Sequence, residues 1–489
     1  MDKGYVTSVI ITILLVLSSA CDNVKSETAD TKNKPNIIFI LADDLGYGDV
    51  GFNGQDKILT PHLDQMAKEG MVLSHFYAGA PVCGPSRATL MYGQHTGHCS
   101  IRGNPRWTKS GKPPEMKADD IILPKELKRA GYSTALFGKW GLNEDLQSNI
   151  GHPLKQGFDE FVGFNTHKEA HYHWPDFIWE GYKKVDLSAG EVKGNWNNKL
   201  KFADDIFTEK CLDYIDRKAG KETFFIYLAY TIPHKGYTSP EESRKPYESQ
   251  GWPVIKIKSG HYEMDPETHT AYAGMISRMD SYLGQIRQKL KDKGVDKKTL
   301  IIFTSDNGHE LSSDFFNSGG GLRGKKRDLT EGGIHMPTVA LWPGTTQAGS
   351  TNETALAFWD VLPTLCDIVG ITSKVQTDGI SFLPALKGQK DQQKEHDVLY
   401  WEFNESKGPQ QAIRFSHWKA IRLWDASDNK MGSIELYDLK KDIAESTNVA
   451  AQHPQIVSKA LELFVSSRTE HPEFPLVPKK NTKKKKKSK

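Results

Sequence analysis

The sequence predicts an α/β protein with a large, mainly parallel sheet flanked by helices, followed by a smaller antiparallel sheet towards the C-terminus. Three observations carry this. Continuous apolar runs such as "NIIFILADD", "TFFIYLAYTIPH" and "TLIIFTSDNG" have the composition of strands buried on both faces. Segments with helical spacing alternate with them, the pattern of a parallel sheet joined by crossovers. Near residue 390 the texture changes to a polar break, "KGQKDQQKEHD", and then to short strand-like segments.

The elements follow in order. The first apolar run closes on Asp43 and Asp44. "TPHLDQMAKEG" reads as a helix with Thr60 at the N-cap, Pro61 at the first helical position and Gly70 as its stop. "LPKELKRAGY" repeats that logic up to Gly131, and "STALFGKW" is the strand after it. In "HTAYAGMISRMDSYLGQIRQKLKDKG" the apolar residues Tyr272, Met275, Ile276, Met279, Leu283, Ile286 and Leu290 share one side of a long helix. Beyond the break, "HDVLYWEF", "QQAIRF", "WKAIRLW" and "IELYDL" read as antiparallel strands, and "PQIVSKALELFVSS" as a closing helix.

Composition narrows the function. The chain has 489 residues, 37% hydrophobic and 26% charged, as expected of a soluble globular protein. Its formal charge is +3, but "PKKNTKKKKKSK" holds eight lysines, so the remainder is 3 − 8 = −5. That is no electrostatic footprint for nucleic acid. The tail reads as a solvated, disordered run. At the other end, Lys3, the apolar run Val6–Leu17 and small residues up to Cys21 form an export signal. Cys21 stands where a bacterial lipoprotein is lipidated, with Ser18 in place of the usual leucine. The expectation is an exported, periplasmic protein, with a lipid anchor at Cys21 as its variant, on the polar tether "DNVKSETADTKNK". Of five cysteines, setting aside Cys21 and Cys83 leaves three, so at most one disulfide forms; no CxxC pair suggests zinc.

Ligands of a parallel α/β sheet gather beyond the carboxyl ends of its strands. Three strands end in polar clusters: Asp43-Asp44, Pro233-His234 and Asp306-Asn307. Asp43, Asp44, Asp306 and Asn307 offer hard oxygen ligands, which suit Ca²⁺ or Mg²⁺ rather than zinc. Arg87, Lys139 and Lys326, all in Gly-rich surroundings, supply the opposite sign. A divalent cation with Arg and Lys neutralises an anionic tetrahedral group. Taken singly, each acid pair reads more readily as a turn or cap and each cation as a surface charge; together they point to the site.

The segment "CGPSRATLMYGQHTG" carries a resemblance. It matches the C-x-P-S-R signature of type I sulfatases, with Tyr92 for the usual threonine. "PNIIFILADDLGYGDVG", "LFGKW", "IPH", "FTSDNG", "LRGKKRDLTEGGIHMP", "DVLPTL", "DGISFLPAL" and "ELYDLKKDIAESTNVA" continue it from Pro35 to about Ala450. The resemblance implies an alkaline phosphatase-like fold and a sulfuric ester hydrolase. It implies that Cys83 is oxidised to formylglycine, whose hydrated aldehyde supplies the attacking oxygen. Asp43, Asp44, Asp306, Asn307 and the modified Cys83 then hold the metal, calcium in preference to magnesium. Arg87 orients formylglycine, Lys139 and Lys326 bind sulfate oxygens, and His234 assists at the ester. His309, in "SDNGHE", is a further substrate-facing candidate.

Two further positions depart from the family pattern. Gly141 stands where many relatives have a histidine that helps activate formylglycine, in "GKWGLN". "GFNTHKEAHYHWPDF" offers His167, His171 and His173, and its spacing to Pro175 favours His171 as the substitute sharing acid–base work. His335 replaces an arginine common in "EGGIRVP".

The organisation expected is a signal over residues 1–21, a tether over 22–34, a sulfatase catalytic domain over 35–390, a subdomain over 391–470 and the Lys-rich tail over 471–489. The expected function is hydrolysis of sulfate esters on a carbohydrate: an algal polysaccharide such as ulvan or a galactan, or a glycosaminoglycan. A sulfatase-maturing enzyme is the implied partner. A phosphomonoesterase or phosphonate hydrolase of the same superfamily is the second reading, and a catalytically inactive glycan-binding protein the third.

Overall fold

The computed structural model describes residues 34–476, apart from 105–107, 113, 115, 145, 189–200 and 406. The signal, most of the tether and all but the first residues of the tail therefore lie outside the described residues. Residues 471–476, expected to open a disordered tail, pack back on the body instead. Phe474 is buried, and Glu473 accepts from the Ser110 N–H while its carbonyl accepts from Lys109.

In chain order the first strands are β1 (Asn36–Ala42), β2 (Met71–Leu73), β3 (Phe76–Tyr77), β4 (Ser133–Lys139), β5 (Glu160–Phe164), β6 (Phe177–Glu180) and β7 (Lys183–Asp186). They are followed by β8 (Phe224–Ala229), β9 (Thr299–Ser305), β10 (Val339–Leu341), β11 (Ser350–Asn352) and β12 (Leu356–Ala357). Ten of these form one sheet, ordered β11-β2-β10-β9-β1-β8-β4-β5-β6-β7. The centre, β9-β1-β8-β4-β5, is parallel throughout. The periphery is mixed: β10 runs against β9, and β6 and β7 form an antiparallel hairpin at the edge.

The reason for the unbroken apolar runs is visible in β1. Ile38, Ile40 and Ala42 enter one core, and Ile37, Phe39 and Leu41 the other. Helices α1 (Pro61–Glu69), α2 (Cys83–Tyr92), α3 (Leu123–Arg129), α4 (Ala203–Lys218), α5 (Glu241–Glu248) and α6 (Thr268–Asp292) cover the two faces. Side chains of α1, α4, α5 and α6 fill the first core; those of α2, α3 and the helix Val361–Ile368 fill the second. The helix at Pro61 is capped differently from the sequence expectation. The Thr60 hydroxyl accepts from the Gly51 N–H, and the first-turn N–H groups of His62 and Leu63 donate to Asp280 of α6.

After residue 398 the smaller sheet is built from β13 (Leu399–Glu405), β14 (Gly408–Phe415), β15 (Trp418–Asp425), β16 (Lys430–Met431) and β17 (Glu435–Asp438), all antiparallel. Its inner face packs directly behind the loop that leads into α2, in a cluster holding Tyr77, Val82, Cys83, Trp359 and Trp401. Trp401 Nε1 donates to the Ala78 carbonyl at 2.9 Å. The closing helix Pro454–Ser466 covers the outer face.

Candidate active site

Five neighbouring parallel strands each deliver polar groups just past their carboxyl ends. These are Asp306 and Asn307 after β9, Asp43 and Asp44 after β1, His234 after β8, Lys139 as the last residue of β4, and His167 three residues after β5. Two consecutive acids on one strand would normally face opposite sides. Asp44 escapes this through a left-handed backbone, φ 66°, in a region Asp tolerates better than most residues. Its N–H donates to Asp306 Oδ1 at 3.2 Å, and the Asp306 N–H donates to the Ala42 carbonyl, so the two strand ends are tied together.

The first turn of α2 closes the site from below. Cys83 opens the helix after Val82, and Arg87 lies one turn on, so both point the same way. Both are fully buried. Arg87 is a cross-brace rather than a direct partner of the thiol. Its Nε and Nη2 hold Asp306 Oδ2 at 2.9 and 2.8 Å, and its Nη1 donates to the Lys139 carbonyl at 2.7 Å. Lys139 Nζ lies 2.5 Å from Asp43 Oδ2. Lys326 Nζ lies 2.7 Å from Asp44 Oδ2 and 3.0 Å from Glu310 Oε2.

The electrostatics follow from burial and these pairs. Burial opposes ionisation of Asp43, but Lys139, His234, Arg87 and Lys326 outweigh it and hold its carboxyl well below the usual range. Burial pushes Asp44 up to about 7 despite Lys326, and raises Asp306 as well. Burial likewise pushes the Cys83 thiol up to about 12, against the pull of Lys139 and Lys326. A thiol that keeps its proton so firmly is no nucleophile at neutral pH. Burial and Lys326 keep His234 neutral. Its Nδ1–H donates to the Lys235 carbonyl at 3.0 Å, which leaves Nε2 as the nitrogen facing Asp44 Oδ2, 3.7 Å away.

The donor set fits a hard divalent cation. Asp43 Oδ1 and Asn307 Oδ1 are buried without a hydrogen-bond partner. Asp43 lies in two compact groups of potential ligands, one with Asp44 and His234 and one with Cys83 and Asp306. A cation between these oxygens would satisfy the orphaned atoms and keep all three carboxylates ionised.

The histidines sort differently from their sequence spacing. The imidazole at Cys83 is that of His167, with Nε2 3.0 Å from Sγ. His171 instead stacks on His234, ring centroids 5.2 Å apart, and its Nδ1 meets His261 Nε2 at 2.9 Å. His173 supports the site from behind. Its Nε2–H donates to the His234 carbonyl, its Nδ1 lies 3.0 Å from the Thr231 hydroxyl, and the Thr231 N–H and hydroxyl both donate to buried Asp204. His309 lines a neighbouring cavity of about 590 Å³ with Ser312, Asp314, Asn317 and Lys325, and its Nδ1–H donates to the Leu311 carbonyl. His335 is structural: it bonds Glu331 at 2.9 Å and packs at a tilt against the rings of Tyr47 and Tyr77. Glu310 is a neighbour that motif reading passes over. Burial opposes its charge, yet Lys326, His234 and Arg327 hold it well below the usual carboxylate range. The four described cysteines, Cys83, Cys99, Cys211 and Cys366, are all free.

The model of the Sulfatase family matches residues 35–371, more than half of the chain. The chain belongs to the sulfatase family. It is a sulfuric ester hydrolase with the alkaline phosphatase-like fold. A second family model, N-sulphoglucosamine sulphohydrolase, C-terminal, matches residues 324–467 of this sulfatase. The mouse (Mus musculus) N-acetylgalactosamine-6-sulfatase is 28% identical over 485 residues, covering 95% of this chain and 83% of that protein. The Sus scrofa N-acetylgalactosamine-6-sulfatase is 31% identical over 411 residues, covering 80% and 72%. Among solved structures, Ps i-CgsB in complex with k-i-k-neocarrahexaose is 27% identical, covers 91% of this chain and 95% of its own, and has a TM-score of 0.72. Phosphonate monoester hydrolase of Agrobacterium radiobacter, 22% identical with a TM-score of 0.62, shares the fold alone.

Proposed function

We propose that this sulfatase is an exported enzyme that hydrolyses sulfate esters on a carbohydrate, using formylglycine made from Cys83 and a calcium ion. The observation that carries the reading is the buried, firmly protonated thiol. It opens a helix among three cations and three carboxylates, surroundings that suit an oxygen nucleophile made by its modification better than a neutral thiol. Sγ of Cys83 therefore stands in for the oxygen that formylglycine presents. That group supplies a nucleophilic oxygen where the thiol supplies none. Asp43, Asp44, Asp306 and Asn307 would hold the calcium, which supplies positive charge beside the sulfate.

The chain's own residues then divide the work. Lys139 and Lys326 place two ammonium groups over the site, each already pinned by a carboxylate, so they neutralise sulfate oxygens without reorganising. Arg87 holds Asp306 and the end of β4 in register, fixing the floor to the wall. His234, its Nδ1 bound to the Lys235 carbonyl, has Nε2 beside Asp44 as the nitrogen left to exchange a proton with the ester's leaving oxygen. The smaller sheet backs the nucleophile loop through Trp401 and excludes water from behind.

Two relatives support a substrate class: one is named an N-acetylgalactosamine-6-sulfatase, and the other was solved in complex with a neocarrahexaose. We assign a galactose-type sugar sulfate, from a glycosaminoglycan or an algal galactan. The apolar leader ending at Cys21 supports export to the periplasm, with lipidation of Cys21 as the anchored form. The test is sulfate release from sulfated oligosaccharides by protein co-expressed with a sulfatase-maturing enzyme. Release from galactose-type sulfates supports the assignment. Release confined to other sugars overturns the sugar, and turnover of only the matching phosphate esters overturns the sulfatase reading.

A further inference from the structure

The loop after β5 puts an imidazole on the nucleophile from an unexpected direction. We propose that His167 is a catalytic residue, whose Nε2 hydrogen-bonds and orients the reactive oxygen at position 83. This rests on the reading of position 83 given above.

Four observations carry it. His167 Nε2 lies 3.0 Å from Cys83 Sγ and Nδ1 4.0 Å, so the ring is aimed by one nitrogen. The cationic neighbours of the thiol are committed elsewhere, Lys139 to Asp43, Lys326 to Asp44 and Glu310, Arg87 to Asp306, and the carboxylates grouped with it, Asp43 and Asp306, belong to the set that would hold the metal. The loop is held stiffly. The His167 N–H donates to Glu144 Oε1 at 2.6 Å, and Glu169 Oε2 accepts from Asn165 and Thr166, both at 3.0 Å. Finally, the loop runs beside the end of β4. Trp140 and Gly141 donate to the Phe164 and Asn165 carbonyls, and a Cβ added at Gly141 would sit 3.6 Å from His167 Nδ1 and 3.7 Å from Lys139 Cε.

That last distance gives the geometry its meaning. A side chain at 141 would start in van der Waals contact with the His167 ring, so the two positions compete for the space beside Sγ. This chain leaves 141 as glycine and fills that space from 167. An uncharged imidazole there accepts a hydrogen bond from a hydroxyl and points its lone pair outward, which fixes an attacking oxygen in a near-attack position. Neither an ammonium nor a guanidinium supplies an acceptor.

The experiment exchanges the two positions in converted, calcium-loaded protein: His167→Ala, Gly141→His and the double variant. His167→Ala should lose about 10²–10⁴-fold in kcat with KM nearly unchanged. The double variant should recover at least about tenfold, because a ring from 141 drops into the vacated volume and histidine tolerates left-handed backbone such as φ 70°. A second readout is independent of turnover. Labelling of the aldehyde at position 83 by an aminooxy probe should speed up in His167→Ala, which has lost a hydrogen bond favouring the hydrate, and slow again in the double variant. Unchanged kcat and labelling in His167→Ala overturn the proposal while leaving the sulfatase reading intact. A loss that the double variant does not recover, at unchanged melting temperature, also overturns it. No sulfate release by converted wild type, on any sugar, overturns both.

Discussion

Calcium should stabilise this sulfatase by an amount and with a pH dependence that the carboxylates themselves set. Asp43, Asp44 and Asp306 are all essentially buried, and Asp43 Oδ1 and Asn307 Oδ1 have no partner. Filling the site at 100 times the dissociation constant stabilises by about 2.7 kcal/mol. Unfolding entropy of roughly 2.1 cal/mol/K per residue over 489 residues is about 1 kcal/mol/K, so the melting temperature should rise by about 3 °C. The ion binds ionised carboxylates, and burial pushes Asp44 up to about 7 in the ion-free protein. Binding at pH 8 thus displaces almost no proton, whereas at pH 6 it displaces about one. Apparent affinity falls roughly tenfold between the two, and the shift at the same calcium concentration drops to about half. Differential scanning fluorimetry of chelator-stripped protein at pH 8 and pH 6, with Asp306→Asn beside wild type, reads both effects. No calcium-dependent rise at pH 8, or an equal rise in Asp306→Asn, would refute the assignment of these oxygens.

Further outcomes follow from the same contacts. Glu331→Gln should cost about 1–3 kcal/mol, a drop of a few degrees in melting temperature, because Lys419 of the smaller sheet, fully buried, loses the carboxylate 2.7 Å away and keeps only Glu445 at 2.9 Å. Burial opposes the charge of Glu331, but Lys419 and His335 hold its carboxyl well below the usual range. The stability it contributes is therefore present above about pH 4 and lost as pH falls below that, measurable by acid titration of wild type against the variant. Gly138→Ala should destabilise by about 2–6 kcal/mol and depress turnover, since its Cβ would lie 1.9 Å from the Ala229 carbonyl at φ 113°, prising apart β4 and β8 and displacing Lys139. Lys326→Met should lower kcat/KM for a sulfated sugar by about 10²–10³-fold while formylglycine conversion, read by mass spectrometry, stays complete.

Much of the site is written locally, and the part that is not shows why. Asp43-Asp44 and Asp306-Asn307 are legible because each closes an apolar run, and in a parallel sheet the strand end fixes where the next residues go. Cys83 and Arg87 are legible through the C-x-P-S-R signature alone; that a four-residue helical spacing puts the two side chains on one side is visible only once α2 is built. The choice among His167, His171 and His173 is different. It depends on the path of the loop between β5 and β6, set by Glu144, Glu169 and the neighbouring end of β4, none of which the spacing to Pro175 registers. The helix at Pro61 teaches the same point: its cap comes from Asp280, more than two hundred positions away. His335, a departure at the sequence level, makes sense only once Glu331, Tyr77 and the smaller sheet are assembled around it.

The most direct test of the account is the chemistry at position 83. Wild-type protein and Cys83→Ala, both made alongside a sulfatase-maturing enzyme, would be digested and the peptide containing position 83 weighed by mass spectrometry. Each would then be assayed for sulfate release from a galactose-type sugar sulfate with calcium present. The account predicts formylglycine in the wild-type peptide, release by wild type and none by Cys83→Ala. Release by wild type whose Cys83 remains an unmodified thiol, or equal release by Cys83→Ala, would contradict it.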